Sequence, residues 1–185
     1  MAIKVHGSLF STATMRVLAC LNEKGLDYEF VPIDMKAESR AINQYITSTY
    51  TDKGTPLVFH DPKEMAVLFV GMQVESLQYN PPAGKLTLEL AIKPMLGMAT
   101  DEAVVEEKEA ELAKVLDVYE SRLGQSKYVS GDSFTLADLH HLPTLSYLMG
   151  TRVKSVFDSR PHVSAWCADI LARPSWQKVI AMQKN

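Results

Sequence analysis

The sequence predicts an α+β protein: a short strand-helix-strand-helix unit followed by an all-helical second half. Three observations carry that prediction. Apolar residues alternate over residues 3–7 and again from Leu26 to Ile33, and a helical period fills the stretch between them. Beyond Lys63 the apolar patterning is helical. The proportions are those of an ordinary globular chain: 185 residues, 46% hydrophobic, 22% charged and a net charge of -3.

Taken in order, Ile3, Val5 and Gly7 alternate as in a short strand, and Ser8 to Thr12 supplies loop and helix-cap residues. From Thr14 to Lys24, Val17, Leu18 and Leu21 share one helical face, and Gly25 stands where a C′ glycine closes a helix. Leu26, Tyr28, Phe30 and Ile33 resume a strand pattern, completing a unit that is normally parallel and right-handed. Only Asp34, Met35, Lys36 and Ala37 precede the next helical pattern, which runs through Ala41, Ile42, Tyr45, Ile46, Thr49 and Tyr50.

Thr51 to Lys63, with Gly54, Pro56 and Pro62 among polar residues, reads as a linker. A long helix is expected from about Lys63 toward Gly97, bent or broken at Pro81-Pro82 and Pro94. Leu112, Val115, Leu116, Tyr119 and Leu123 form the inner stripe of another, and Glu106, Glu107, Glu109 and Glu111 its solvated face. Thr135-Leu136-Ala137-Asp138 has capping-box spacing, with Phe134 and Leu139 at the staple positions, so Thr135 and Asp138 are read as folding residues. Helices near Val163–Leu171 and Ser175–Met182 follow, divided by Arg173-Pro174. The resulting organisation is a first domain over residues 1–50, a linker over 51–64 and a helical domain over 65–185.

Several chemistries lack support. The balanced charge offers no footprint for nucleic acid or an anionic membrane. No apolar run approaches the roughly 18 residues of a spanning helix, and the first residues lack the apolar region of a signal peptide, so a cytoplasmic protein is expected. Cys20 and Cys167 read as small buried hydrophobes. His6, His60, His140, His141 and His162 show no metal-ligand spacing, so no metal is expected. The local signal for chemistry is Ser11-Thr12-Ala13-Thr14 at the mouth of the first helix, where a thioredoxin-like unit would carry Cys-x-x-Cys. Hydroxyls replace both sulfurs, which excludes redox chemistry there. Two readings of Ser11 stand: it caps the helix, or it donates to an anion such as a bound thiolate at the helix's positive end. Lowering a thiol pKa by two units takes about 2.7 kcal/mol. One charge-assisted hydrogen bond plus a helix end can supply that. The methionines of the 65–98 region suit a core or an accommodating apolar pocket.

Lys4-Val5-His6-Gly7, then Ser11-Thr12-Ala13-Thr14-Met15-Arg16-Val17, then Glu38-Ser39-Arg40-Ala41-Ile42 resemble the glutathione-binding half of plant phi-class glutathione transferases. In the second half, Val129 to Leu139, Arg160-Pro161-His162-Val163 and Ala172 to Val179 are similar to the helical domain of that class. The resemblance implies a thioredoxin-like first domain and an all-helical second one. It makes Ser11 the residue that stabilises the glutathione thiolate, and Glu38 and Ser39 the pair that holds its γ-glutamyl end. It implies an apolar pocket between the domains for a hydrophobic electrophile, touched by Leu9, Phe10 and Thr12. Glutathione is then a co-substrate and no further cofactor is expected.

Family members carry a helix and two strands between the segments resembling Pro32-Ile33-Asp34 and Glu38-Ser39-Arg40, where this chain has only Met35-Lys36-Ala37. The resemblance therefore implies an internal deletion that removes contacts to the glycine and cysteinyl parts of glutathione. Losing two or three contacts of about 1 kcal/mol each weakens binding on the order of 30- to 150-fold, so weakened or altered activity is expected. The rival readings are a non-catalytic, ligandin-like binder of hydrophobic ligands and an inactive splice-type variant. The deletion also leaves a marginal two-stranded sheet with an open edge. The third family helix is therefore expected either to shift within its own chain or to dock on a partner, in a swapped or edge-paired homodimer.

Overall fold

The computed structural model describes residues 3–32 and 39–183. Strand β1 (Ile3–Gly7), helix α1 (Thr12–Glu23), strand β2 (Tyr28–Pro32) and helix α2 (Ser39–Thr49) open the chain. The strands pair in parallel, with Ile3 opposite Tyr28 and Gly7 opposite Pro32, and form a two-stranded sheet among the described residues. Val5 and Gly7 point inward while Lys4 and His6 are exposed, as the alternation requires.

Helix α1 is the axle of the molecule. Every residue from Thr14 to Leu21 is buried, because α1 lies against α2 on one side and the helices of the second half on the other. Its end is a complete Schellman turn: the Gly25 N–H donates to the Asn22 carbonyl at 3.1 Å and the Leu26 N–H to the Leu21 carbonyl at 3.0 Å. Gly25, at φ 60°, is the residue that reverses the chain.

Helix α2 packs on α1 of its own chain, but by only part of the face its sequence pattern marks. Asn43, Ile46 and Thr47 are buried there, whereas Ile42 and Tyr45 are 40% and 68% exposed. The polar residues on this face find backbone acceptors for their donors, although Asn43 Oδ1 is buried without a hydrogen bond among the described residues. The Asn43 amide donates to the Arg16 carbonyl at 3.4 Å, and the Thr47 hydroxyl to the Asn43 carbonyl at 3.0 Å. Ile42 and Tyr45 instead border an open apolar groove along the outer edge of β1, opposite Ile3, Val5 and Val17. The connection read as Asp34 to Ala37 lies outside the described residues, as does Glu38.

The second half begins with α3 (Pro62–Val74), capped by Asp61, whose carboxylate accepts from the backbone N–H groups of Lys63 and Glu64. The helix does not break at its prolines. It widens into a π-helical segment over Glu75–Tyr79, resumes as α4 (Asn80–Thr87), widens again over Leu88–Ile92 and ends as α5 (Lys93–Met95). Each wide turn sits immediately N-terminal to Pro81-Pro82 or to Pro94. There the missing N–H and the ring's pressure on the preceding turn's carbonyl favour an extra residue per turn. Then come α6 (Glu102–Leu123), α7 (Leu136–Leu139), α8 (Leu142–Leu148), α9 (Lys154–Asp158), α10 (Pro161–Leu171) and α11 (Pro174–Met182).

Two polar clusters hold these parts together. At α7, Asp138 is wholly buried and accepts from Thr135 N–H (3.0 Å), Thr135 Oγ1 (3.2 Å), Val129 N–H (3.1 Å) and Trp166 Nε1 (2.9 Å). Between the halves, Glu23 at the end of α1 receives both arms of Arg173 at 2.6 and 2.7 Å, with Thr55 and Ser175 hydroxyls on the same carboxylate. Burial raises the Glu23 carboxyl, but these hydrogen bonds and the Arg173 charge outweigh it and hold the pKa below its ordinary value. The stretch read as a linker is therefore anchored. Thr55 N–H donates to the Glu23 carbonyl at 2.8 Å, and wholly buried Leu57 accepts from Leu136 N–H at 3.0 Å.

Candidate active site

The first turn of α1 and one face of the long second-half helix enclose a cleft of about 780 Å³, within the range of small-molecule sites. On the α1 side, β1 ends at Gly7, where a Cβ would lie 2.3 Å from Thr14 Oγ1, so only glycine lets the strand run this close to the helix start. The loop from Ser8 to Ser11 then turns the chain, with Ser11 N–H donating to the Ser8 carbonyl at 3.0 Å. Its tip is held from the second half: Gln183 Nε2 donates to the Leu9 carbonyl at 2.7 Å and Tyr147 Oη to the Phe10 carbonyl at 3.3 Å.

Ser11 is the N-cap of α1, with extended backbone, and its Oγ accepts from Thr14 N–H at 3.5 Å. That bond is at the outer limit of a useful length. The Ser11 O–H donates to no protein group among the described residues, and Ser11, Thr12 and Ala13 line the cleft. The free N–H groups and positive end of α1 face the same space. The capping and anion-donor readings of Ser11 are thus compatible: the oxygen accepts from the helix while the proton remains available.

The opposite wall is one helical face, Asn80, Gly84, Thr87, Leu88 and Ile92, continued by Leu96. Of the residues expected at an electrophile pocket, Phe10 and Thr12 line the cleft. Leu9 does not: its side chain packs against the core. This wall was not found from sequence as individual residues, although the four-residue spacing from Asn80 to Gly84 to Leu88 to Ile92 is that of one helical face.

Arg16 lies at the cleft's floor, almost fully buried. Its Nε donates to the His140 carbonyl at 2.8 Å, one Nη donates to Asn80 Oδ1 at 3.0 Å, and that Nη stands 3.6 Å from Glu75. Glu75, in the first π-helical segment, also takes both arms of Arg40 at 2.8 and 2.9 Å. Burial raises the Glu75 carboxyl, but the Arg40 hydrogen bond, with the surrounding positive charges, keeps its pKa below the ordinary value. This fork ties the first turn of α2, where Ser39 begins the helix, to the wall of the cleft. Glu38 lies outside the described residues and the Ser39 side chain with it. The pairing of Arg40 with Glu75 was not legible in the sequence, since an ion pair 35 residues apart leaves no local pattern.

His140 and His141 are buried side by side. Burial pushes their pKa values down to about 3 and about 4. His141 Nδ1 lies 2.7 Å from the Ala137 carbonyl and Nε2 lies 3.0 Å from Tyr119 Oη. The carbonyl can only accept, which places the proton on Nδ1. Among the described residues no group of three or more His, Cys, Asp or Glu is arranged to hold a metal. Cys20 and Cys167 are free and buried, and burial pushes the Cys20 thiol up to about 12 and the Cys167 thiol higher still. No helix among the described residues is long and apolar enough to cross a membrane.

Comparison with known proteins gives a consistent picture. The family model of the glutathione S-transferase N-terminal domain matches residues 5–51, and that of the C-terminal domain matches residues 64–174. A glutathione S-transferase of Hyoscyamus muticus is 57% identical over 208 aligned positions, covering 97% of this chain and 98% of the relative. The crystal structure of glutathione transferase F7 from Populus trichocarpa superposes with a TM-score of 0.91 at 38% identity, covering 96% of this chain and 97% of that one. Maize glutathione S-transferase I, solved in complex with an atrazine glutathione conjugate, gives 0.89 at 34% identity over 100% of this chain and 99% of that one.

Proposed function

The chain belongs to the plant phi-class glutathione S-transferases, and from that premise we propose that Ser11 donates a hydrogen bond to the glutathione thiolate, which attacks a hydrophobic electrophile in the cleft. The observation that carries this reading is the geometry of Ser11: its oxygen caps α1 weakly, and its proton is uncommitted at the cleft wall. A hydrogen bond to a charged group stabilises by about 1.5–3 kcal/mol, and the helix end adds about 0.3–1 kcal/mol. Together these hold a thiol roughly one to three units below about 8.5. Attack forms the carbon–sulfur bond, and the leaving group departs with the electron pair of the bond that breaks.

The rest of the glutathione site is read more sparsely. Glu38 and Ser39 hold the γ-glutamyl end, and the Arg40–Glu75 fork, which anchors the first turn of α2, supports this assignment. Phe10, Thr12 and the apolar helix face receive the electrophile, and Leu9 serves the loop rather than the pocket. We read activity as weakened, because a segment that would complete the site is missing between Asp34 and Glu38. An alignment longer than this 185-residue chain supports that reading, as does a sheet of two described strands. The chain is divided into domains at residues 1–50 and 65–185, joined by 51–64, in keeping with the two family matches. A cytoplasmic location accords with two buried free thiols.

A homodimer is supported by the groove along β1 and by the exposed apolar residues Phe69, Val70, Leu77 and Val118 on the first helices of the second half. A monodisperse monomer in light scattering at micromolar concentration would refute it. The test of function is calorimetric titration with glutathione, together with conjugation of an aryl halide by the wild type and by Ser11→Ala. The variant should lose on the order of 10- to 150-fold in kcat/KM, with the acid limb of the pH–rate profile moved to higher pH. Binding of hydrophobic ligands without glutathione heat or a Ser11-dependent rate would leave the binder reading in its place.

A further inference from the structure

We propose that Gly84 sets the depth of the cleft and thereby selects bulky, planar apolar electrophiles over small ones; the inference rests on the glutathione transferase reading and names the substrate class of that same site. Among the described glycines, two physical reasons account for most positions. Gly25, Gly54, Gly97 and Gly131 have positive φ, and at Gly7 and Gly71 a Cβ would stand only 2.3 and 2.2 Å from a neighbouring side chain. Gly84 has neither. It sits inside α4 with helical backbone, and a Cβ there would meet nothing within 4 Å.

A glycine inside a helix is a cost to the helix, and any side chain would lessen it. The space left open belongs to the cleft. Gly84 lies on the lining face between Asn80 and Leu88, across from Ser11, Thr12 and Phe10. Leu88 flanks it with aliphatic surface one turn on and Asn80 lies one turn before, so the recess at Gly84 is a notch floored by backbone with an apolar side at Leu88. Such a notch accepts the edge of a flat apolar body and offers a small electrophile little to touch. A side chain at position 84 would occupy that volume while leaving the Ser11 end unchanged.

The test uses glutathione conjugates, so that affinity is read without turnover. Dissociation constants of S-methylglutathione and S-(naphthylmethyl)glutathione are measured by calorimetry on the wild type, Gly84→Ala and Gly84→Leu. Overpacking the notch should weaken the naphthylmethyl conjugate by about 10-fold or more in Gly84→Leu and by about 3-fold in Gly84→Ala. S-methylglutathione should bind all three within about twofold. The melting temperature of Gly84→Ala should equal or exceed that of the wild type. Equal weakening of both conjugates, no weakening of either, or a lower melting temperature for Gly84→Ala would overturn the proposal. Failure of the wild type to bind either conjugate would instead overturn the glutathione reading, and this inference with it.

Discussion

Replacing Asp138 by alanine removes the acceptor on which the start of α7 is built. The carboxylate is fully buried and serves three N–H donors, from Thr135, Val129 and the Trp166 indole, besides the Thr135 hydroxyl. The hydroxyl can turn to another acceptor, but the N–H groups cannot. Each buried donor left unmet costs about 1–3 kcal/mol. Allowing for non-additivity, Asp138→Ala should lose about 3–6 kcal/mol, a large part of the 5–15 kcal/mol typical of a domain. Asp138→Asn keeps one oxygen for Val129 and Trp166 and orphans only the Thr135 N–H, so it should lose about 1–3 kcal/mol. Guanidinium unfolding followed by tryptophan fluorescence and circular dichroism reads both, since Trp166 is itself a partner of the carboxylate. The melting temperature of the alanine variant should fall by roughly 6–24 °C. A loss below about 1 kcal/mol in Asp138→Ala, or equal losses in the two variants, would refute the reasoning.

The same carboxylate shapes the pH dependence. Burial raises Asp138 to about 6, against the pull of its donors, whereas burial lowers His140 and His141 to about 3 and about 4. Between pH 6 and pH 5, above the range in which Glu23 and Glu75 titrate in the unfolded chain, the unfolded chain binds two histidine protons that the folded chain refuses, and the folded chain binds one Asp138 proton that the unfolded chain does not. The net of one proton makes stability fall by roughly 1–2 kcal/mol per pH unit on acidification. Asp138→Asn should about double that slope; an unchanged slope in urea titrations would contradict the assignment. Ser11→Ala should lower kcat/KM far more than stability, which loses at most about 1 kcal/mol because the cap bond is long; a larger loss in calorimetric melting would assign Ser11 chiefly to folding. Glu23→Gln should cost about 2–3 kcal/mol, less than a fully buried pair because Arg173 is partly exposed. In a double-mutant cycle with Arg173→Met, a coupling under about 0.5 kcal/mol would show that the fork contributes little. Gly84→Ala should gain up to about 1 kcal/mol in urea unfolding; a loss would mean that the helix needs glycine there.

Much of this molecule is legible locally. The helix end at Gly25, the capping box at Thr135 and Asp138, the inner stripe of α6 and the boundaries near Arg173-Pro174 all rest on neighbouring residues, whose hydrogen bonds close within a turn or two. Helix α2 shows where such reading stops. Its apolar stripe includes Ile42 and Tyr45, yet Asn43 and Thr47 are the residues buried on α1. Periodicity reports which face could be buried, and the surface of the partner helix decides which face is. The prolines teach the same lesson: Pro81, Pro82 and Pro94 announce a disturbed helix, but continuation through wide turns depends on packing along its whole length.

The candidate site divides along the same line. Ser11 was visible because strand, loop and helix start are consecutive in the chain, so the chemistry of a helix N-terminus follows from local order alone. Arg40 against Glu75, Arg16 beneath the cleft and the empty volume at Gly84 were not visible, because each joins segments tens of residues apart. By itself the sequence determined the element types of the first half, the helix ends at Gly25 and Thr135, the family and the hydroxyl at the helix mouth. The tertiary structure alone decided which face of α2 is buried, which charges share Glu75 and how deep the cleft runs. These are properties of two surfaces meeting, and no single stretch of chain contains both.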